Sequence, residues 1–570
     1  MSTTAIDVQL LRKMFLCGAQ NLESNKAWIN ELNVFPVPDG DTGTNMSMTV
    51  ISAAREVLEA EDPNDMKKVC KAISSGSLRG ARGNSGVILS QLLRGYCKIV
   101  RDCQAVTVPL CADAFDKAVE TAYKAVMKPK EGTILTVAKG AAEKARELAD
   151  AGVEDFDEFL PQVIAYAEEV LAKTPDMLPV LKQAGVVDSG GQGLVQLLKG
   201  ALEGYQGKDY DEEALLHPGK SEDGEEEQKA SAGEDIRYGY VVTFREVFTK
   251  PYNDKIDRDV ANYMNTIAEL IVTHRDEKSM TVQLHTNDPG LVLQKALLYG
   301  ELEKISIANL RAGETFEPLK KEADAGKETA ADTTPAEMPQ ESAEPELEQP
   351  HKEIGMIAVC AGDGLAEIFR GLGIDYVISG GQTMNPSTED ILNAVGKVNA
   401  DTVFILPNNK NIILAARQAA EISEDKKLVV IPTKTVPQGI TAAINFIPDQ
   451  DVDLNEQTMT EEIAKVKSAE VTYAVRDTVI DGVEIHEGNI MTIGDSGILG
   501  VGDDRNAVTI EALEKMVGDT TELISIYYGS EATEEEAEAL RKAASEKFSG
   551  VDVELQAGGQ PVYYYIISAE

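Results

Sequence analysis

Aromatic side chains are scarce in this 570-residue chain, at 5% with a single Trp, and basic residues are outnumbered: 54 Lys and Arg stand against 96 Asp and Glu, a formal net charge of −42. A surface that acidic repels phosphate backbones and anionic lipid headgroups, which argues against nucleic acid as a direct partner. No uninterrupted apolar stretch reaches membrane-spanning length, so no integral membrane contact is expected. Met1–Asp7 lacks a basic segment followed by an apolar core, so no secretory signal is expected either. The six cysteines (Cys17, Cys70, Cys97, Cys103, Cys111, Cys360) contain no Cys-X-X-Cys pair. Single cysteines of this kind act as small apolar fillers, and their usage fits a reducing compartment, hence a cytoplasmic protein.

What is present is a globular composition, 43% hydrophobic, on a chain too long for one ordinary core. Two stretches break it. Ser221–Glu227 is dominated by Asp and Glu, and Lys321–Glu353 mixes Glu, Ala, Thr and Pro; neither buries enough apolar area to offset chain entropy. The expected organisation is a helical domain over residues 1–210, an acidic linker over 211–235, a small α+β domain over 236–318, an acidic Pro-containing linker over 319–353, and an α/β domain over 354–570.

Apolar spacings of three and four predict helices at Asp7–Leu16, Asn45–Leu58, Ser85–Val100, Ala112–Val126, Thr133–Leu148, Phe156–Lys173 and Gln192–Leu202. In the middle segment, Tyr238–Phe244 and Ser279–His285 read as strands flanking a helix at Asp257–Thr273. From Ile354 to Ile431 strands and helices alternate, with a capping-box signature at Ser387 and Asp390, which predicts a mostly parallel sheet covered by helices on both faces; the end, Ala469–Val501 and Asp552–Ser568, is richer in strands, with helices at Thr509–Val517 and Thr533–Phe548 between them.

The residues able to carry chemistry lie in Gly-rich loops of the helical part. In Asp39-Gly40-Asp41-Thr42-Gly43-Thr44-Asn45 a glycine separates two carboxylates, so both can converge on one cation. Hard oxygen donors select Mg²⁺ or Mn²⁺, ions that normally bridge to nucleotide phosphates. The loop then enters a helix whose free N–H groups can receive phosphate. Taken alone, the same string is also an Asx-rich turn capping a helix. Gly80-Ala81-Arg82-Gly83-Asn84-Ser85-Gly86 is either an anion-binding nest or an ordinary loop with an N-cap. Glu131-Gly132-Thr133 and Asp188-Ser189-Gly190-Gly191-Gln192-Gly193 each open a further helix. Four such loops, each ending at a helix N-terminus, would focus positive potential on a polyphosphate.

These strings, in this order, resemble the nucleotide-binding domain of dihydroxyacetone kinases, and over nearly the whole chain the catalytic component of bacterial fatty acid kinase. Gly380–Asp390, Leu406–Asn411 and Pro432–Gly439 resemble that family's C-terminal motifs. The resemblance implies an N-terminal barrel of antiparallel helices that binds ATP with two Mg²⁺ ions, and a C-terminal domain similar to DegV lipid-binding proteins. It implies a kinase of phospholipid metabolism that phosphorylates the carboxylate of a fatty acid held on a separate DegV-type carrier, giving acyl phosphate. By the same resemblance Asp39 and Asp41 hold metal, Asn33 is a further candidate, and Arg82 stabilises charge or pairs with a nearby carboxylate. The resemblance further implies that Thr42, Gly43, Thr44, Asn45, Gly83, Asn84, Ser85, Gly86, Thr133, Ser189, Gly190 and Gly191 contact the nucleotide. Dihydroxyacetone kinases place a third Asp just upstream of the pair; Asn33–Pro38 contains none.

The middle segment departs from the family. A Cys and a His-X-His are expected there, but Val241 and Gln283 replace the Cys and the first His, leaving His285, so no zinc site is expected. The C-terminal domain is expected to serve docking or dimerisation, and a homodimer is the default. The competing readings are a kinase for dihydroxyacetone or another small alcohol, and a nucleotide-binding regulator without catalysis.

Overall fold

The structure, a computed structural model, describes residues 3–33, 40–60, 62–126, 128–216, 240–248, 268–275, 279–286, 289–296, 300–309, 351–381, 385–448, 450–474, 477–480, 483–494 and 497–570. It divides into two compact units, one made of Met1–Leu216 and Glu346–Glu570, the other of His217–Pro345.

The first 216 residues are helical. The long helices are Val8–Ser24, Thr42–Leu58, Met66–Arg79, Gly83–Val100, Val108–Ala125, Ile134–Asp150, Phe156–Ala172 and Ser189–Tyr205. Local chemistry fixes several starts: the side chains of Asp7, Asp65 and Asp155 accept from Leu10, Lys67 and Asp157 N–H, which satisfies donors that an uncapped helix would leave open. Each helix turns one apolar face into a shared core containing Leu16, Leu22, Met46, Val50, Leu89, Phe156, Phe159 and Val195. The last long helix packs along the first and closes the bundle. An apolar cavity of about 160 Å³ lies inside it, lined by residues such as Phe15, Leu89, Tyr96, Leu160 and Leu194. That lining offers nothing to a phosphate. All six cysteines are free thiols, and all but the half-buried Cys103 are buried. Among the described residues no helix is long and apolar enough to cross a membrane.

The other unit contains β1 (Tyr240–Phe248), β2 (Ala268–Arg275), β3 (Ser279–Thr286), a helix at Pro289–Ala296, and β4 (Gly300–Asn309). The strands form an antiparallel sheet in the order β2-β3-β1-β4. One expectation is overturned here. The predicted helix Asp257–Thr273 ends in residues that are strand β2 from Ala268 onward, its earlier part lying outside the described residues. Ile271, Val272 and Thr273 are β-branched and stiff at χ1, and antiparallel pairing with β3 settles their state. Val241 faces His285 across β1 and β3, and Gln283 donates to Thr243 Oγ1 at 2.9 Å, a hydrogen bond that spends the amide on a neighbour.

Beyond residue 350 the alternating pattern gives β5 (Lys352–Cys360), β6 (Tyr376–Ser379), β7 (Ala400–Leu406) and β8 (Lys427–Val430), all parallel, in the order β6-β5-β7-β8. Because strand side chains alternate, Met356, Ala358 and Cys360 face one apolar cluster while Ile357 and Val359 face another. Helices Thr388–Gly396 and Ile413–Ile422 cover the second face, and the capping box at Ser387 and Asp390 is formed. The remaining strands are β9 (Lys467–Tyr473), the hairpin β10 (Thr478–Ile480) and β11 (Val483–Ile485), β12 (Ile490–Gly494), β13 (Gly497–Gly502), β14 (Leu523–Tyr528), β15 (Asp552–Ala557) and β16 (Tyr565–Ala569). Six of them make a mixed sheet, β13-β12-β9-β16-β14-β15. At the Gly362–Gly364 turn, Leu365 N–H donates to the Gly558 carbonyl at 3.0 Å, so the chain itself fills that strand-end edge.

Candidate phosphate-binding site

The four Gly-rich loops are N-termini of four helices, as the sequence implies, and they associate in two pairs. The first pair is Gly40–Asn45 with Gly80–Gly86. Gly83 has φ +57°, and a side chain there would strike Asn45 Nδ2 at 2.5 Å; one at Gly86 would strike Thr49 Oγ1 at 2.4 Å. The two helix starts can therefore touch only because these positions carry no Cβ. Thr44 is held by Asn30, whose Oδ1 accepts from Thr44 N at 3.0 Å and whose Nδ2 donates to Thr44 Oγ1 at 2.9 Å.

The second pair is Glu131–Thr133 with Asp188–Gly191. Asp188 is 6% exposed and caps its own helix, accepting from Gly191 N–H at 2.7 Å. Its carboxyl group also receives the Ile134 N–H of the neighbouring helix, while burial pushes its pKa up to about 7 against these two donors. Thr133 Oγ1 donates to Lys130 O at 2.8 Å. The two pairs meet one turn further in, where Gly193 backs onto the Met46 side chain.

Asp41 is the N-cap of Thr42–Leu58, yet its side chain makes no capping hydrogen bond. Instead its Oδ2 accepts from Asn385 Nδ2 at 2.5 Å, a residue of the C-terminal part 344 positions away. Asp39 lies outside the described residues. Asn33, Thr42 and Asn45 are buried close to Asp41 in the chain, as are Ser189, Gly190 and Gly191 at the opposite pair. Arg82 donates through Nη1 to the Asn385 carbonyl at 2.9 Å and pairs through Nη2 with Asp390 at 3.2 Å. Asn84 Nδ2 donates to Asn411 Oδ1 at 2.8 Å. Ser85 occupies the first turn of Gly83–Val100.

Asn385, Asp390, Asn411 and Asn30 thus join the loops, although no local pattern in the sequence marks them as neighbours of Asp41. For a divalent cation the surrounding chemistry is suitable: the Asp41 carboxylate is hard oxygen, and the Oδ1 of Asn385 is a buried acceptor without a hydrogen-bond partner among the described residues. Among the described residues no three His, Cys, Asp or Glu side chains gather into a metal cluster.

A DAK2 domain family model matches residues 36–203 of this helical bundle, which makes it a kinase-family domain. Models for the middle and C-terminal domains of FakA-like fatty acid kinase proteins match residues 237–315 and 355–570. The chain is 43% identical over 577 residues to Protein YloV of Bacillus subtilis (strain 168), covering 100% of both, and 39% identical over 572 residues to an uncharacterized protein of Staphylococcus aureus (strain MRSA252), covering 99% of both. It belongs to the FakA-like fatty acid kinase family. Solved structures similar to parts of it include dihydroxyacetone kinase from C. freundii in complex with AMP-PNP and Mg²⁺ (16% identity, 34% of each chain, TM-score 0.28). A fatty-acid-binding DegV family protein from Thermus thermophilus is also similar (12% identity, 38% of this chain and 99% of that one, TM-score 0.29).

Proposed function

We propose that this protein transfers the γ-phosphoryl group of ATP to the carboxylate of a fatty acid presented by a separate DegV-type carrier, releasing ADP and an acyl phosphate. The observation that carries the reading is Asp41: an N-cap carboxylate that leaves its own helix uncapped, at a helix start paired with the Gly80–Gly86 loop. Family membership supports the kinase class, and the acceptor is our inference. The proposed magnesium ions would be held by Asp41 and by Asp39, with Asn33 near them in the chain, and would neutralise charge on the phosphates.

The chain's own contribution is positioning. A fatty acid carboxylate is ionised at neutral pH and is already a nucleophile, so no general base is needed. One of its oxygens forms a bond to the γ-phosphorus while the bond from that phosphorus to the bridging oxygen breaks, and the electron pair leaves with ADP. Backbone N–H groups at Thr42, Gly43, Gly83–Ser85, Ser189 and Gly190 would hold the phosphates and favour their charge through the helix dipoles. Arg82, held by Asp390 and the Asn385 carbonyl, is placed beside the same loops. The acidic surface suits a carrier that presents basic residues around its bound lipid, and the assembly we propose is a homodimer in the cytoplasm.

The test is acyl phosphate formation from Mg-ATP and a fatty-acid-loaded DegV-type protein, comparing wild type with Asp41→Ala. Activity that requires both carrier and Asp41 is expected. Phosphorylation of dihydroxyacetone without any carrier, or ATP binding with no transfer to lipid, would defeat the reading.

A further inference from the structure

We propose that Asn385, a residue of the C-terminal part, is a positioning residue of the phosphate site: it orients the Asp41 carboxylate for the metal, so the kinase site is complete only when the C-terminal part is seated. The proposal rests on the reading of Asp41 as a metal ligand given above.

Three observations carry it. The first is the mount. Asn385 is 5% exposed, and its amide reaches Asp41 while its carbonyl receives Arg82. The following Pro386 restricts the backbone, Ser387 caps the next helix, and Thr388 N–H donates to the Ala81 carbonyl at 3.2 Å. The amide is thus anchored on both sides of the seam it crosses.

The second is that this seam is built as permanent interior. Gln418 is 3% exposed and its side chain is fully occupied. Its Nε2 donates to Leu78 O at 2.6 Å and to Thr388 Oγ1 at 3.2 Å, and its Oε1 accepts from Gln91 Nε2 at 3.1 Å. Ala81 and Val87 of the helical part share an apolar cluster with Ile357, Val359, Ile391, Ile412 and Ala415 of the α/β part. Opening it would expose that cluster and strip a buried amide of its partners, so the contact is constitutive.

The third is the unsatisfied atom. The Nδ2 of Asn385 is used, but its Oδ1 is buried without a partner among the described residues. Buried polar groups are rarely left so, and an idle acceptor beside a carboxylate suits a site that receives a hydrated cation with O–H donors. Carboxylates that ligate metals are themselves hydrogen-bonded, and removing such a partner typically costs about 10–100-fold in metal affinity. An amide that merely blocked Asp41 would have the opposite effect.

The experiment uses the full chain and measures the Mg²⁺ concentration for half-maximal binding of a fluorescent AMP-PNP analogue. Wild type, Asn385→Ala, Asp41→Ala, the double variant and Gln418→Ala are compared. Asn385→Ala is expected to raise that concentration about tenfold or more and to add nothing in the Asp41→Ala background, the signature of a residue acting through its neighbour. Gln418→Ala, which removes one buried contact of the same seam away from Asp41 while the apolar cluster and the Thr388–Ala81 hydrogen bond still seat it, is expected to leave it within about twofold. An unchanged or lowered Mg²⁺ requirement for Asn385→Ala overturns the proposal, as does an equal shift for Gln418→Ala. An Mg²⁺ requirement that Asp41→Ala leaves at the wild-type value overturns the reading of Asp41 itself, and the proposal with it.

Discussion

Replacing Asp188 by Asn tests the electrostatics of the helix starts. The two side chains have nearly the same shape, and the Asn oxygen can still accept from Gly191 N–H. What changes is ionisation. Burial holds the Asp188 pKa at about 7, against about 4 in an unfolded chain. A carboxyl group whose pKa is raised on folding adds stability that is fully present below its unfolded value and lost as pH rises through its folded value. The window here runs from about pH 4 to about pH 7. Three pKa steps at about 1.4 kcal/mol each make the total roughly 4 kcal/mol, of which roughly 2–3 kcal/mol falls between pH 5 and pH 8. The Asn variant does not titrate. Its stability relative to wild type should therefore climb by that amount between pH 5 and pH 8. Calorimetry of both proteins at several pH values reads it, and the difference cancels every carboxylate they share. A gap that stays flat across this range would show that Asp188 is ionised throughout and that its two N–H donors outweigh burial.

Gly43→Ala should prevent nucleotide binding and cost about 1–3 kcal/mol of stability, because the new Cβ would lie 2.1 Å from the Lys26 carbonyl and backbone cannot step aside cheaply; calorimetric titration with Mg-AMP-PNP and a melt check both effects. Gln418→Ala should lower stability by about 3 kcal/mol, since the Leu78 carbonyl and Gln91 amide lose their buried partner. A melting temperature within a degree of wild type would contradict the account of the seam. Glu246 on β1 is buried, both its oxygens lack a partner among the described residues, and burial pushes its pKa up to about 7. Glu246→Gln should therefore remove a loss of stability that wild type shows as pH rises from about 4.5 to about 7, visible in melts at pH 5 and pH 8.

Periodicity exposed the helical part because each long helix has one apolar face and a polar remainder, and several begin at an Asp cap. The capping box at Ser387 and Asp390 was equally readable, being a local device. Ala268–Thr273 was misread because Leu270, Ile271 and Val272 are consecutive apolar residues that suit a helix or a buried strand alike. The antiparallel partner at Ser279–Thr286 decides between them, and no spacing rule contains it. The candidate site divides along the same line. Its loops were visible one by one, as glycines before helix starts. Their pairing through Gly83 against Asn45, and the arrival of Asn385 at Asp41, depend on contacts between distant parts of the chain.

The seam between the helical and α/β parts also has a consequence for synthesis. Domains generally fold as units, the N-terminal one first, so Asp41, Arg82 and their loops leave the ribosome long before Asn385, Thr388 and Gln418 have been translated. Until then Ala81 and Val87 face water and the Leu78 carbonyl lacks the Gln418 amide. A chain interrupted between the two parts would carry all four Gly-rich loops and still present an unfinished, sticky surface, marking it for chaperones and proteases.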